Sequence, residues 1–440
     1  MAEALAAGAK IQTMLGQEVV IGQLLGGGGQ GNVYQVTYNG QQKALKWYKP
    51  SGMGQNKNAF YENIKDNVSR RSPSPEFVWP IDVTEWVDGT FGYVMDLVPS
   101  EYKEISAYML VNARMESFRT IIDAAVHIVS AFRILHNNGY SYQDLNDGNF
   151  FIESKTGKVL ICDNDNVAPN GTDTGILGKP RYMAPELVLR KKMPDKLSDR
   201  FSMSVIIYIL LCLNHPLEGK RSLVPALTPE LQEKLYGSEA LFMLDPADRS
   251  NAPDPVIHKN SLLVWPCLPD YMKDLFLKAF SQKSMTNPSA RPTELEWLET
   301  LVRFRSDIVN CACGNEIFVQ NGAPCKCDIC GCVPNIPFRL EFPNYAISGL
   351  SGSRIYRCQI GPCDAEEALE PMGQILAKKD APDVLGLRNR GKNSWNAITS
   401  KGAAKKVMPG DVIPLKDGIQ FTIKGSANDA GTTVAIKANK

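Results

Sequence analysis

The sequence predicts an α+β chain: a strand-rich first lobe, a helix-rich second lobe, a small metal-stapled module and a C-terminal β-sandwich. Three observations predict it. A glycine-rich stretch, Gly26-Gly-Gly-Gly-Gln-Gly31, lies between strand-like runs near the start. A segment with apolar residues at helical spacing follows, from Glu116 to Asn138. Six of the 11 cysteines then fall between Cys311 and Cys332, and short strand-like runs between Gly, Asn and Asp turns fill the rest.

Composition bounds the function. The 440 residues suffice for two to four domains. With 48 Lys+Arg against 47 Asp+Glu, no global charge points to nucleic acid or to a membrane surface. The longest apolar run, Val205 to Leu213, is far short of the roughly 20 residues that span a bilayer. The first ten residues are Ala-rich but carry Glu3 and lack the apolar core of a secretory leader. A cytoplasmic protein that binds neither nucleic acid nor membrane is expected, with its clustered cysteines serving a metal rather than disulfides.

Val19 to Leu25 reads as a strand running into the glycines, and Asn32-Val-Tyr-Gln-Val36 as the returning one. Gly26, Gly28 and Gly31 satisfy G-x-G-x-x-G, with Val33 two residues on. Such a hairpin brings backbone amides to phosphates without Cβ obstruction while the valine covers a base; a merely flexible hairpin satisfies the pattern too. Ala44-Leu-Lys46 follows on the next strand. Asn58 to Val68 reads as a helix, with Phe60, Ile64 and Val68 on one face. Glu62 is the expected ion-pair partner of Lys46, with Asp66 one turn later as the fallback. Both acids also suit a solvated face.

The helix from Glu116 to Asn138 is core, and Gly139 ends it. It delivers the chain to Tyr142-Gln-Asp-Leu-Asn-Asp-Gly-Asn149, and the apolar run Val159-Leu-Ile161 leads into Cys162-Asp-Asn-Asp165. Phosphoryl transfer needs a carboxylate to orient a hydroxyl, plus an amide and a second carboxylate to hold Mg²⁺. Asp144, Asn149 and Asp163 are candidates for those roles.

Further on come Gly178-Lys-Pro-Arg-Tyr-Met-Ala-Pro-Glu186, Ser198-Asp-Arg-Phe-Ser202 and Asn287-Pro-Ser-Ala-Arg-Pro292. Taken in order, these motifs resemble the bacterial eukaryotic-like (Hanks-type) Ser/Thr protein kinases from residue 15 to about 305. The resemblance implies a bilobal protein kinase fold over 1–305, with a small lobe at about 15–98 and a large lobe at about 99–305. It implies ATP and Mg²⁺ as cofactors and a protein substrate. Met95 would back the adenine pocket, and Asp96 to Val98 would form the hinge. Asp199 would cap amides of the catalytic loop, and Arg291 would bond Glu186. Tyr142-Gln-Asp-Leu-Asn, Asp163-Asn-Asp-Asn166 and Phe242-Met-Leu-Asp245 ahead of Asn251 resemble the kinases of tellurite-resistance-associated (TerY-type) phosphorylation triads. That likeness implies a von Willebrand-A-type protein and a metal-dependent protein phosphatase as partners.

The chain departs from the common kinase pattern at five positions. Tyr142 and Gln143 stand for His and Arg, Asn146 for Lys, and Asn164 and Asp165 for the Phe and Gly of Asp-Phe-Gly. The neutral Gln143 cannot neutralise an activation-loop phosphate, so Thr172 and Thr174 are not expected to control activity strongly. A nucleotide-binding pseudokinase scaffold is the alternative reading.

Cys311-Ala-Cys313-Gly and Cys327-Asp-Ile-Cys330-Gly form two knuckles that suit tetrahedral Zn²⁺ in a zinc ribbon at 306–335, with Cys325 and Cys332 as substitutes. A linker is expected at 336–345 and a β-sandwich at 346–440. Leu387-Arg-Asn389 through Trp395 and Pro409 to Gly418 resemble the second half of a forkhead-associated domain. A generic protein-binding sandwich is the other reading.

Overall fold

The structure, a computed structural model, describes residues 5–53, 57–172, 178–425 and 430–439. Its residues fall into two compact units. The first comprises residues 1–114, 134–259 and 279–291; the second comprises 115–133, 260–278 and 292–440. No helix among the described residues is long and apolar enough to cross a membrane.

In the first unit, β1 (Lys10–Gln12), β2 (Glu18–Gly27), β3 (Gly31–Tyr38), β4 (Gln41–Tyr48), β5 (Asp82–Val83) and β6 (Gly92–Met95) form one antiparallel sheet in the order β1-β2-β3-β4-β6-β5. Period-2 alternation divides β4 between two cores. Leu45 and Trp47 join Ile11, Val19, Ile21 and Val36, whereas Ala44 and Tyr48 join Phe60, Tyr61 and Ile64 of helix α1 (Lys57–Arg70). Lys46 therefore faces the side that α1 covers. Glycine is required at position 31, where a Cβ would meet the Trp47 carbonyl oxygen at 2.3 Å. A Cβ at Gly26 or Gly28 would meet nothing within 4 Å, so that face of the hairpin is open.

Helix α2 (Phe118–Asn137) ends before Gly139, whose φ of 83° suits glycine. A three-stranded sheet follows, β9-β8-β7, from β7 (Tyr102–Glu104), β8 (Phe150–Glu153) and β9 (Val159–Ile161). Phe150 pairs with Ile161, so Asn149 and the residues after Ile161 emerge at the same end. Helix α3 (Lys196–Cys212) opens with a capping box between Asp195 and Ser198 and is buried along most of its length.

The second unit contains helix α4 (Glu294–Asp307), capped by Thr293 and Glu296, and the hairpin of β10 (Ile308–Asn310) and β11 (Glu316–Phe318). Phe318 of β11 packs on Phe118 and Phe304, with ring centroids 4.5 and 5.1 Å away. Two further sheets complete the unit. The first has the order β13-β12-β21-β20-β17-β18, from β12 (Phe338–Glu341), β13 (Ala346–Ser348), β17 (Trp395–Ile398), β18 (Ala404–Val407), β20 (Gln420–Ile423) and β21 (Thr432–Ala438). The second has the order β14-β15-β16-β19, from β14 (Arg354–Tyr356), β15 (Pro371–Lys378), β16 (Ala381–Asn389) and β19 (Val412–Pro414). Leu340, Trp395, Phe421 and Ile436 of the one share a core with Ile355, Ile375, Leu387 and Ile413 of the other.

The stretch expected as a linker, 336–345, needs correction: it contains β12, which pairs with both β13 and β21. Its prolines sit at 337 and 343, just outside the strand, where a missing N–H costs the ladder nothing.

Asp307, at the end of α4, is fully buried and accepts from Tyr271 Oη (2.9 Å), Ser348 Oγ (3.1 Å) and Gly322 N (3.1 Å). Burial raises its pKa from 3.8 to about 6, against the pull of those donors. Between pH 4 and 6 the folded carboxyl keeps a proton that the unfolded chain releases, so stability falls as pH rises through that window. Denaturant unfolding should record a loss of roughly 3 kcal/mol there, and Asp307→Asn should flatten the slope at little cost near pH 7. A slope unchanged in the variant would show that another group carries it.

Candidate active site

The site in the first unit is built on a buried amine. Lys46 is 4% exposed, and its Nζ lies 2.9 Å from Asp165 Oδ2, 3.1 Å from Asp163 Oδ1 and 3.1 Å from Gln30 Oε1. Burial alone would lower its pKa, but the two carboxylates outweigh that and raise it, so the amine stays charged. Asp165 is wholly buried and also accepts from Tyr48 Oη.

This arrangement corrects the expected partner of Lys46. Glu62 points to solvent, with its side chain 62% exposed, and pairs with Lys65 at 2.9 Å. Asp66 pairs with Arg70 on the same outer face. The side of α1 turned to the site carries amides instead. Asn63 Nδ2 donates to the carbonyls of Asp165 (3.1 Å) and Val167 (3.0 Å), and Asn67 Nδ2 donates to that of Val167 (2.9 Å). Asp165 was missed in the sequence. Its signal was a third-position acid in Asp163-Asn-Asp165, directly after an apolar strand.

The catalytic-loop candidates converge nearby. Asn149 Nδ2 donates to the Asp144 carbonyl (2.8 Å) and to Tyr142 Oη (3.1 Å), which turns the amide's donors toward the loop. Cys162 N donates to the Asn149 carbonyl at 2.8 Å, which sets Asp163 beside that loop. Asp163 itself takes a left-handed conformation, with φ 56° and ψ 47°. An amide oxygen and a carboxylate are hard donors of the kind Mg²⁺ prefers. Burial, and next the charge of Asp163, push the Asp144 carboxyl up to about 6, while Lys179 draws it down. Asp199 accepts from Tyr142 N (2.6 Å) and Gln143 N (3.1 Å), the cap the sequence suggested.

An apolar shelf adjoins these groups. Ala44 and Met95, paired across β4 and β6, share a cluster with Val33, Leu97, Val98, Phe151 and Leu160. Ala44 and Met95 are buried and the other five half-buried, an apolar surface that suits a purine base. Asp96 spends its carboxylate on Lys43, which leaves its backbone for any base contact. Asn164, in the position of the usual Phe, is buried and donates to the carbonyls of Val78 (2.7 Å) and Ile161 (2.8 Å). Gln143 Nε2 donates to the Thr172 carbonyl at 2.8 Å; Thr174 lies outside the described residues. Glu186 and Arg291 form the expected bidentate pair, at 2.8 and 2.6 Å.

The protein kinase domain family matches residues 19–297, well over half of the chain. The chain belongs to the protein kinase family. Protein kinase YegI of Escherichia coli K12 is 23% identical over 323 residues, which cover 69% of this kinase and 47% of YegI. Serine/threonine-protein kinase Sgk1 of Xenopus tropicalis is 34% identical over 91 residues, or 20% of this kinase and 21% of Sgk1. The chain thus matches at most about half the length of these curated relatives. The crystal structure of the Mycobacterium tuberculosis PknI kinase domain is 19% identical, with a TM-score of 0.45, and covers 68% of this chain and 98% of that one.

In the second unit, the thiols of Cys311, Cys313, Cys327 and Cys330 lie within 4.8 Å of one another. Cys311 and Cys330 are 3.5 Å apart, and Cys313 and Cys327 are 3.8 Å apart. A tetrahedron of about 2.3 Å Zn–S bonds has edges of about 3.8 Å, so the spacing fits. The backbone N–H groups of Cys330 and Ile329 draw the Cys327 thiol down to about 6, which favours a thiolate. Cys325 and Cys332, the substitutes weighed from sequence, stand outside this group.

The Lys46–Asp165 pair makes a direct prediction. Asp165→Asn removes one partner of a buried ion pair and should cost about 3 kcal/mol, read by denaturant unfolding. Glu62→Gln removes a surface charge and should change stability by less than about 0.5 kcal/mol. The reverse ranking would return Glu62 to the role of partner.

Proposed function

We propose that this kinase is an ATP- and Mg²⁺-dependent Ser/Thr protein kinase that transfers the γ-phosphoryl group to protein hydroxyls, its own among them. The observation that carries the reading is the convergence of Lys46, Asp144, Asn149 and Asp163 beside the Val33–Ala44–Met95 shelf. Lys46 and the amides around Gly26, Gly28 and Gly31 would hold phosphates. Asn149 and Asp163 would hold the metal, which when bound offsets charge on the β- and γ-phosphates. Asp144 orients the substrate hydroxyl and takes its proton as the new P–O bond forms and ADP leaves.

The activation segment is held without a phosphate in this reading. Gln143 grips the Thr172 backbone through a neutral hydrogen bond, and Arg181 is committed to Glu218 at 2.6 and 2.9 Å. Basal activity is therefore constitutive, with control passing to partners. By resemblance, those are a von Willebrand-A-type protein and a metal-dependent phosphatase. The paired sheets of the second unit would serve as a forkhead-associated-like β-sandwich that recruits a protein, and the four cysteines as a structural zinc ribbon.

Incubation with labelled ATP tests the central claim. Wild type should transfer label and Asp144→Asn should lose nearly all of it; replacing Thr172 and Thr174 together with Ala should change the rate less than about tenfold. Because ionised Asp144 is the proton acceptor and its pKa is raised, the rate should fall as pH drops through about 6. ATP binding with no transfer by wild type would favour the pseudokinase scaffold.

Elemental analysis should find about one zinc per chain, released by Cys313→Ser or Cys330→Ser with nucleotide binding retained. Protein purified under reducing conditions without zinc would remove the ribbon from this account.

A further inference from the structure

We propose that Lys179 supplies the cation at the transferred phosphoryl group that the catalytic loop itself lacks. The inference rests on the phosphotransfer reading and adds a catalytic residue to it. Two residues after Asp144 the chain carries Asn146, an uncharged amide. Asn146 Nδ2 donates to the Asp144 carbonyl (3.3 Å) and to its Oδ1 (3.4 Å), so this side chain lies directly against the acid. Its Oδ1 accepts from Gly148 N at 3.2 Å and from Lys179 Nζ at 2.9 Å. The amide that occupies the place of a loop cation thus holds an ammonium brought from another segment.

The backbone is shaped for that delivery. A Cβ at Gly178 would lie 3.2 Å from Asp144 Oδ1 and 3.4 Å from both the Gln143 carbonyl oxygen and Met183 Cγ. Glycine lets the segment run closely against the catalytic loop. The Lys179 carbonyl accepts from Tyr182 N (2.9 Å) and Met183 N (3.2 Å), which fixes the turn that carries the amine. The Arg181–Glu218 pair anchors the chain just beyond it.

The other cations near the site are already committed. Lys46 is shared between Asp163 and Asp165, and Arg181 is held by Glu218. Lys179 is exposed, and among the described residues it forms no ion pair. Its partner is a neutral acceptor that an incoming phosphate oxygen can replace without leaving a charge unpaired. In phosphoryl transfer, charge gathers on the equatorial oxygens next to the attacking hydroxyl, and Asp144 is the group that orients that hydroxyl. An ammonium held against the neighbour of Asp144 is placed to meet it.

The test uses the full chain with two readouts: steady-state transfer to a generic protein substrate, and equilibrium affinities for Mg-ATP and Mg-ADP. Lys179→Ala should lower kcat on the order of 100-fold while KM for ATP stays within about threefold, as for loss of a transition-state contact. Affinity for Mg-ADP should not change, so the preference for ATP over ADP should fall by no more than that same factor of about three. Adding Asn146→Lys to Lys179→Ala should recover at least about tenfold in kcat, because it returns a cation to the catalytic loop. A kcat within about threefold of wild type, together with an unchanged ATP-over-ADP preference, would overturn the proposal. If wild type transfers no phosphate, the phosphotransfer reading fails by itself. The binding arm then decides Lys179: a preference reduced on Lys179→Ala keeps it at the γ-phosphate, and an unaltered one removes it.

Discussion

An ammonium group buried to 4% exposure on a β-strand would be untenable without compensation, because desolvation disfavours its charge by several kcal/mol. Lys46 survives there because two carboxylates of one short loop, Asp163 and Asp165, close around it at 3.1 and 2.9 Å. That constraint fixes more than the lysine. It ties strand β4 to the loop after β9, and it seats Asp163, the candidate metal ligand, at the edge of the same ion cluster. Helix α1 is left with a lesser part: it holds the loop by neutral bonds from Asn63 and Asn67 to backbone carbonyls. Displacing such a helix would break hydrogen bonds but would not strip the lysine of its counter-charge.

The same preference for neutral bonds recurs where the chain departs from the usual kinase pattern. Asn164 fills the place of an aromatic ring by donating to two carbonyls, and Gln143 fills that of an arginine by donating to one. Each exchange replaces an element that depends on packing or on phosphate with neutral hydrogen bonds from the amide nitrogen to backbone carbonyls, at Val78 and Ile161 for Asn164 and at Thr172 for Gln143. A buried amide nitrogen so paired is well tolerated, whereas one left unpaired would cost about 1–3 kcal/mol.

Much of this was legible before the structure. The motifs located the Gly-rich hairpin, the Asp199 cap and the Glu186–Arg291 pair, and the Cys-Gly turns picked out the four cysteines whose thiols lie together. The partner of Lys46 was not legible, because it turns on the rotation of one helix. Neighbouring residues on a helix point about 100° apart, so a small shift exchanges Glu62 for Asn63 at the site. Several strands of the second unit also escaped notice. Pro371 to Lys378 carries a single β-branched residue, Ile375, and β18 carries Lys405 and Lys406 at the edge of its sheet. Their place in the sheets comes from pairing and from the shared core, not from local propensity.

The cysteine group reaches further than its own loop. In the adjoining hairpin, Glu316 stands opposite Asn310, and the Glu316 carboxylate accepts from the first amides of α2, at Phe118 N (2.5 Å) and Arg119 N (3.4 Å). Helix starts leave such amides unpaired, and an acid placed there satisfies them while opposing the positive end of the helix dipole. Arg119 reaches back to the Ile308 carbonyl on the partner strand, so cap and hairpin hold each other. Glu316 sits three residues after Cys313, directly beyond the turn that carries the first two cysteines. A bound metal would narrow the conformations of that turn. The order it imposes then passes, through one carboxylate, to the first turn of a helix nearly 200 residues earlier in the chain.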